Sequence, residues 1–143
     1  MTRKKPREAG FTLIELMIVL FILGLLAALV APRLMGRVEK AKQKTAQTQI
    51  QLLKTALDLF HLDIGRYPTT EEGLKVLKEK PQNLPGWSGP YLDKAIPNDP
   101  WGRPYVYRSP GDHGPYDLSS LGADGAPGGE GENQDITSWQ SSP

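Results

Sequence analysis

The sequence predicts an α+β fold in which a long N-terminal α-helix, kinked near Pro32, packs on a small antiparallel β-sheet that carries a glycine-rich loop. Three observations lead to this prediction. An apolar run occupies residues 11–31, helix-forming residues with one apolar face continue to residue 60, and short tyrosine-rich segments lie in an irregular last third rich in glycine and proline.

The first half of the predicted helix is long enough to span a membrane. Residues 11–31 would extend about 31 Å as a helix, close to a bilayer core of about 30 Å. They follow a short basic leader that ends at Gly10, and their single charge is Glu15. Three interpretations compete: a secretory signal peptide, a simple signal anchor, and a leader cut between Gly10 and Phe11 whose apolar helix is kept. Only the third gives the costly carboxylate of Glu15 a partner, the new amine of Phe11.

The second half of the predicted helix is amphipathic. Pro32 should kink or locally break the helix because it lacks an N–H group and clashes with the preceding turn. Gly65 is a suitable C-cap. The apolar positions beyond Pro32 recur every three or four residues, which indicates one buried face. That face comprises Ile50, Leu53, Leu57 and Phe60, and we expect Leu52, Ala56 and Leu59 to widen it.

Shorter elements follow the helix. Thr69 and Glu72 have the spacing of a capping box, which predicts a short second helix with Leu74 and Leu77 turned inward. The Asp-Pro-Trp-Gly motif at residues 99–102 has turn chemistry. Residues 105–107 and 116–118 are predicted to be short strands joined through the turn at residues 110–114.

Composition excludes several classes of function. The chain of 143 residues contains no cysteine, so disulfides and thiol chemistry are absent. His61 and His113 are the only histidines, and neither has metal-ligand spacing or a neighbouring nucleophile. No phosphate-binding glycine loop is present. We therefore expect no enzyme, and we expect Trp87, Trp101 and Trp139 to be packing anchors.

Charge is distributed unevenly, although the formal net charge is only +1. Basic residues cluster between Arg33 and Lys44, and no lysine or arginine follows Arg108. This asymmetry favours an interaction function over a general affinity for nucleic acid. The tail carries the acidic residues Asp112, Asp117, Asp124, Glu130, Glu132 and Asp135.

Several motifs resemble a known family. The segment Gly-Phe-Thr-Leu-Ile-Glu at residues 10–15 is similar to the processing site shared by type IV pilins and the pseudopilins of type II secretion systems. Residues 67–74, 99–102, 116–125 and 128–139 resemble the major, G-type pseudopilin in particular. The resemblance covers nearly the whole chain. It also separates the chain from pilins, which usually close this region with a disulfide.

The resemblance implies a processed subunit of a helical filament, with cleavage after Gly10, an N-methylated Phe11 and an assembly contact between Glu15 and the Phe11 amine of a neighbour. The implied location is the bacterial inner membrane, crossed once, with a cytoplasmic N-terminus and a periplasmic head. The implied partners are further copies of the chain, minor pseudopilins, an inner-membrane assembly platform, a prepilin peptidase and, indirectly, an outer-membrane secretin channel. Two alternatives are a type IV pilin for adhesion or motility and a membrane-anchored calcium-binding module that never polymerises.

The predicted domains are a leader at residues 1–10, a membrane and filament-core helix at residues 11–32, and a head at residues 33–143. From the residues alone, the acidic glycine-rich loop at residues 117–139 is either solvated surface or an oxygen-rich cation site. The resemblance implies a structural Ca²⁺ held by the carboxylates of Asp124 and Asp135 and the backbone carbonyl of Leu121. It names Ser119, Ala126 and Gln134 as further candidates.

Overall fold

A computed structural model of the chain describes residues 10–140, with the side chains of residues 33–35 excepted. The predicted leader therefore lies outside the described residues except for Gly10. Helix α1 spans Leu13–Ile64, and two 3₁₀ helices span Leu74–Leu77 and Gly131–Asn133. The strands are β1 at Val106–Arg108, β2 at Asp117–Ser120 and β3 at Ile136–Thr137. The fold divides between Val38 and Glu39 into two compact units.

The first unit consists of the apolar part of α1. Its large apolar side chains between residues 11 and 30 are exposed, and by length and composition this helix could cross a membrane. Pro32 lies inside α1, which continues on both sides of it, so the prediction of one helix of about 50 residues is confirmed. The kink near Pro32 stays a prediction.

The second unit is built on the amphipathic part of α1. The predicted stripe is confirmed, because its side chains are at most 1 % exposed. The prediction that Leu52 and Leu59 widen this stripe is wrong, since they are 61 % and 45 % exposed and line an open groove beside residues 91–97. Ala56, predicted with them, is buried, as is Ala46 one turn before Ile50. The stripe comprises Ile50, Leu53, Leu57 and Phe60.

The end of α1 and the following turn use the predicted local signals. Gly65 has φ 82° and donates its N–H to the carbonyl of His61 at 2.8 Å, which caps the helix. The carboxylate of Glu72 accepts the N–H of Thr69 at 2.8 Å, and the Thr69 hydroxyl accepts the N–H of Glu72 at 3.2 Å. This capping box leads into the 3₁₀ helix that buries Leu74 and Leu77, where the sequence predicted a short helix.

The sheet has three antiparallel strands in the order β1, β2, β3. Strands β1 and β2 match the predicted pair to within a residue or two at their ends, whereas β3 was not predicted. Leu118 on the central strand is fully buried and belongs to the same core as the α1 stripe. The sheet therefore closes over α1 as the predicted fold class requires.

Trp87 and Trp101 pack against the core, as expected, whereas Trp139 is 37 % exposed and lies outside it. The indole N–H of Trp87 donates to the carbonyl of Val76 at 2.8 Å, and that of Trp101 donates to Glu39 at 3.4 Å. Trp139 stacks flat on His113 with ring centres 4.0 Å apart. These contacts tie irregular segments of the second unit to its core and to each other.

Candidate functional site

The N-terminal end of α1 holds the predicted processing and assembly residues. The carboxylate of Glu15 accepts the backbone N–H of Thr12 at 2.9 Å and its hydroxyl at 3.0 Å. The Thr12 hydroxyl in turn accepts the N–H of Glu15 at 3.2 Å. Gly10 and Phe11 precede this cap directly, and Phe11 is 90 % exposed. Thr12 is a functional candidate that the sequence analysis missed, although its spacing from Glu15 is that of a capping box.

The acidic glycine-rich loop connects β2 to β3. These strands pair Ser119 with Thr137 and Ser120 with Ile136. Continuing this antiparallel register places Leu121 opposite Asp135, at the two ends of the loop. The two residues therefore stand at the two ends of the loop, where the Leu121 carbonyl accepts the N–H of Gly125 at 3.2 Å.

The two predicted carboxylate ligands differ in how their oxygens are used. In Asp124, which is exposed, Oδ1 accepts the N–H of Ala126 at 3.0 Å. In Asp135, which is half-buried, Oδ2 accepts the N–H of Gly128 at 2.9 Å. The other oxygen, Oδ1 of Asp135, is buried and has no hydrogen-bond partner among the described residues. A buried carboxylate oxygen without a donor is energetically costly, so it fits a bound cation.

The remaining candidates lie along the same loop. Ser119 is buried within β2, two residues before Leu121, and Gln134 directly precedes Asp135 and is exposed. Ala126 is also exposed, and its N–H is already bound to Asp124. Within residues 10–140, no three His, Cys, Asp or Glu side chains form a cluster that could hold a metal. A cation in this loop would therefore need backbone carbonyls in addition to carboxylates, as calcium accepts.

Two glycines allow the halves of the loop to touch. Gly122 has φ 63° and Gly129 has φ 88°, and both lie against the backbone of Asn133. A Cβ atom on Gly122 would sit 2.8 Å from the Asn133 carbonyl oxygen, and one on Gly129 would sit 2.5 Å from it. Glycine is required at both positions, for backbone conformation and for space.

The Asp-Pro-Trp-Gly turn forms the base of the loop. Asp99 is 4 % exposed; its Oδ1 accepts the N–H groups of Trp101 at 3.1 Å and Arg103 at 2.8 Å, and its Oδ2 accepts the Ser120 hydroxyl at 2.6 Å. Burial, and secondarily the negative charge of Asp99, raises the pKa of the neighbouring Tyr105 above its ordinary value. The sequence predicted this turn but not its bond to β2, nor the contact of Arg103 with the loop.

Comparison with protein families gives two matches. The model of the family described as "Type II secretion system (T2SS), protein G" matches residues 33–139. The model described as "Prokaryotic N-terminal methylation motif" matches residues 5–31. The first match contains the whole acidic loop with its base, and the second contains Gly10, Phe11, Thr12 and Glu15.

Similar proteins cover nearly the whole chain. The protein named "Type II secretion system core protein G" in Vibrio cholerae is 49 % identical to this chain, and the match covers 96 % of this chain and 95 % of the relative. The protein of the same name in Pseudomonas aeruginosa is 46 % identical, and the match covers 95 % of this chain and 98 % of the relative. Among solved structures, the crystal structure of the major pseudopilin from the type 2 secretion system of enterohaemorrhagic Escherichia coli is similar with a TM-score of 0.62. It is 38 % identical, and the match covers 76 % of this chain and 95 % of that one.

Proposed function

The chain belongs to the protein G family of type II secretion systems, and from this membership we propose that it is the major structural subunit of a secretion pseudopilus. Its copies polymerise into a helical filament whose growth from the inner membrane helps to move folded proteins through the outer membrane. Its task is assembly and not catalysis. The observation that carries the proposal is the family match over the head, together with similarity to a solved major pseudopilin.

The exposed apolar helix supports a filament subunit. Apolar side chains on all sides of residues 13–30 are exposed, which is stable only when lipid or neighbouring helices cover them. Before assembly the bilayer covers this segment, and in the filament other copies of the same helix replace it. The chain is therefore an inner-membrane protein. We place its N-terminus in the cytoplasm and its head in the periplasm.

The N-terminal motif supplies the assembly contact. We infer that a prepilin peptidase cuts after Gly10 and that the new terminus of Phe11 is N-methylated. The amine of Phe11 then meets the carboxylate of Glu15 on a neighbouring copy. Among the described residues only Thr12 donates hydrogen bonds to the Glu15 carboxylate, so the contact with a neighbouring copy gives this carboxylate a cationic partner. Because a buried charge without its partner is strongly unfavourable, the pair selects copies in the correct register.

The further partners follow from the same role. The filament would be capped by minor pseudopilins, assembled by an inner-membrane platform, and aimed at an outer-membrane secretin channel. We propose these partners by class, because the relatives are named as components of a type II secretion system.

The loop between β2 and β3 fits a structural Ca²⁺. Asp135 offers a buried oxygen with no hydrogen-bond partner in the described residues, and Leu121 offers a backbone carbonyl at the other end of the loop. Asp124 offers a second, exposed carboxylate, with Ser119, Ala126 and Gln134 as further oxygen donors nearby. When bound, the cation supplies positive charge that neutralises the carboxylates and cross-links the two ends of the loop. The chain contains no cysteine that could do this by a disulfide.

Substitution of Glu15 tests the filament role. In a bacterium that lacks its own major pseudopilin, the wild-type chain should restore secretion and yield filaments that can be sheared from overproducing cells. Glu15→Ala should abolish both, while the variant is still inserted in the membrane and cleaved. Glu79→Ala, which removes an exposed glutamate of the head, is the matched control and should behave as wild type. Wild-type yields of filament from Glu15→Ala would overturn the proposal.

Thermal unfolding tests the calcium site separately. We expect calcium to raise the melting temperature of the full chain in detergent micelles relative to chelator, because a ligand that binds only the folded state stabilises it. Asp124→Ala and Asp135→Ala should remove this increase, and Asp93→Ala, an exposed carboxylate outside the loop, should retain it. Identical melting in calcium and in chelator would exclude the metal.

A further inference from the structure

Arg103 lies half-buried against the first half of the acidic loop. Its Nη1 donates to the carbonyl of Gly122 at 2.9 Å and to the carbonyl of Ala123 at 2.9 Å. Gly125 packs directly on the guanidinium, since a Cβ atom added there would lie 2.6 Å from Nε of Arg103. One side chain therefore contacts three of the four residues 122–125.

The backbone of Arg103 is itself fixed. Its N–H donates to Oδ1 of Asp99 at 2.8 Å, and its carbonyl accepts the N–H of Asp99 at 2.7 Å. Asp99 is anchored to the central strand through the hydroxyl of Ser120, the last residue of β2. The guanidinium is thus presented to the loop from a rigid base, which lowers the entropy lost when its planar donors engage.

The partners of Arg103 are neutral carbonyls. In the part of the chain that the structure describes, none of the ion pairs includes Arg103. The loop has no lysine or arginine of its own, because none follows Arg108. A guanidinium bound to backbone carbonyls supplies positive charge and several hydrogen-bond donors from one group.

The second half of the loop lacks such a group. There the buried Oδ1 of Asp135 has no hydrogen-bond partner among the described residues. The halves are linked by backbone, through the N–H of Ala123 donating to the carbonyl of Glu132 at 3.0 Å. We propose that Arg103 is a positioning residue that holds residues 122–125, and with them the carboxylate of Asp124, in the calcium-binding conformation before the metal binds. This inference rests on the calcium site of the proposed function.

The test compares melting temperatures of the full chain in detergent micelles, with calcium and with chelator. Arg103→Ala should lower the melting temperature more in calcium than in chelator, because calcium binds only molecules in which residues 122–125 are ordered and the variant has fewer of them. The increase caused by calcium should therefore shrink. A residue that merely stabilises the fold would lower both temperatures equally. Arg108→Ala, which removes the exposed arginine paired with Asp112, is the control and should leave the calcium-induced increase unchanged.

Amide hydrogen exchange in chelator gives a second readout that does not depend on metal. Loss of two charge-assisted hydrogen bonds should speed exchange in residues 121–126 by about tenfold or more. Arg103→Lys keeps the charge but not the planar fork, so it should give an intermediate rate and keeps the test valid if the alanine variant does not fold.

The outcomes are separable. Equal lowering of both melting temperatures, or unchanged exchange of residues 121–126 in Arg103→Ala and Arg103→Lys, would overturn the role of Arg103. If calcium does not change the melting of the wild-type chain, the metal site itself fails, and the inference that depends on it fails too. Faster exchange in Arg103→Ala would then show a structural contact only.

Discussion

Asp99→Ala should be among the most damaging substitutions in the head. Asp99 is 4 % exposed and accepts three hydrogen bonds, from the N–H groups of Trp101 and Arg103 and from the Ser120 hydroxyl. Removing the carboxylate leaves those three donors without their acceptor. Each buried unsatisfied donor costs about 1–3 kcal/mol. Because the turn can relax in part, we expect the free energy of unfolding to fall by about 3–6 kcal/mol. That is a large part of the roughly 5–15 kcal/mol that stabilises a typical domain.

The assay is urea unfolding of the full chain in non-ionic detergent, followed by tryptophan fluorescence. Trp101 sits in the affected turn and reports on it directly. Asp99→Asn, which keeps one acceptor oxygen in place, should cost less than Asp99→Ala. Asp93→Ala removes an exposed carboxylate and should stay within about 0.5 kcal/mol of wild type. A cost below about 1 kcal/mol for Asp99→Ala would refute the claim that this carboxylate orders the base of the loop.

Two further predictions concern the helix and the turn that follows it. Leu57→Ala should lower the free energy of unfolding by about 2–5 kcal/mol in the same assay, because Leu57 is fully buried. Leu52→Ala should lower it much less, because Leu52 is 61 % exposed. Equal losses in the two variants would contradict the burial pattern. The pKa of Glu72 is lowered in the folded protein, mainly by the hydrogen bond from Arg66. The ionised carboxylate therefore stabilises the fold at pH values above its unfolded pKa of about 4.3. This stabilisation is lost as the pH falls through the lower pKa of the folded state. Glu72→Gln should therefore be destabilising near pH 7 and approach wild-type stability toward pH 3, and a difference that does not change with pH would contradict the assignment.

Local signals made much of the fold predictable. The stripe of Ile50, Leu53, Leu57 and Phe60, the cap at Gly65 and the Thr69–Glu72 box depend on residues close in sequence, so their patterns are legible without a structure. Leu52 and Leu59 were misassigned because periodicity shows which residues share a helix face, but not how far another segment covers that face. Here the segments that pack on the helix do not extend over Leu52 or Leu59.

The acidic loop was predictable only in outline. Asp124, Asp135 and the glycines mark it, yet the two-residue strand β3 exists only through its ladder to β2, which no local pattern records. Arg103 escaped notice because it binds carbonyls about 20 residues away and pairs with no carboxylate in the described structure. Thr12 differs from Arg103, since its three-residue spacing from Glu15 is itself the local signal of a capping box.

The most direct test of the filament account is the N-terminal sequence and mass of the chain recovered from sheared filaments. The account predicts filaments made of a chain that begins at an N-methylated Phe11, with residues 1–10 absent. It also predicts that Glu15→Ala, although cleaved at the same bond, is missing from the sheared fraction and remains in the membrane. A chain that stays in the membrane with its leader intact, or filaments built from uncleaved subunits, would contradict it.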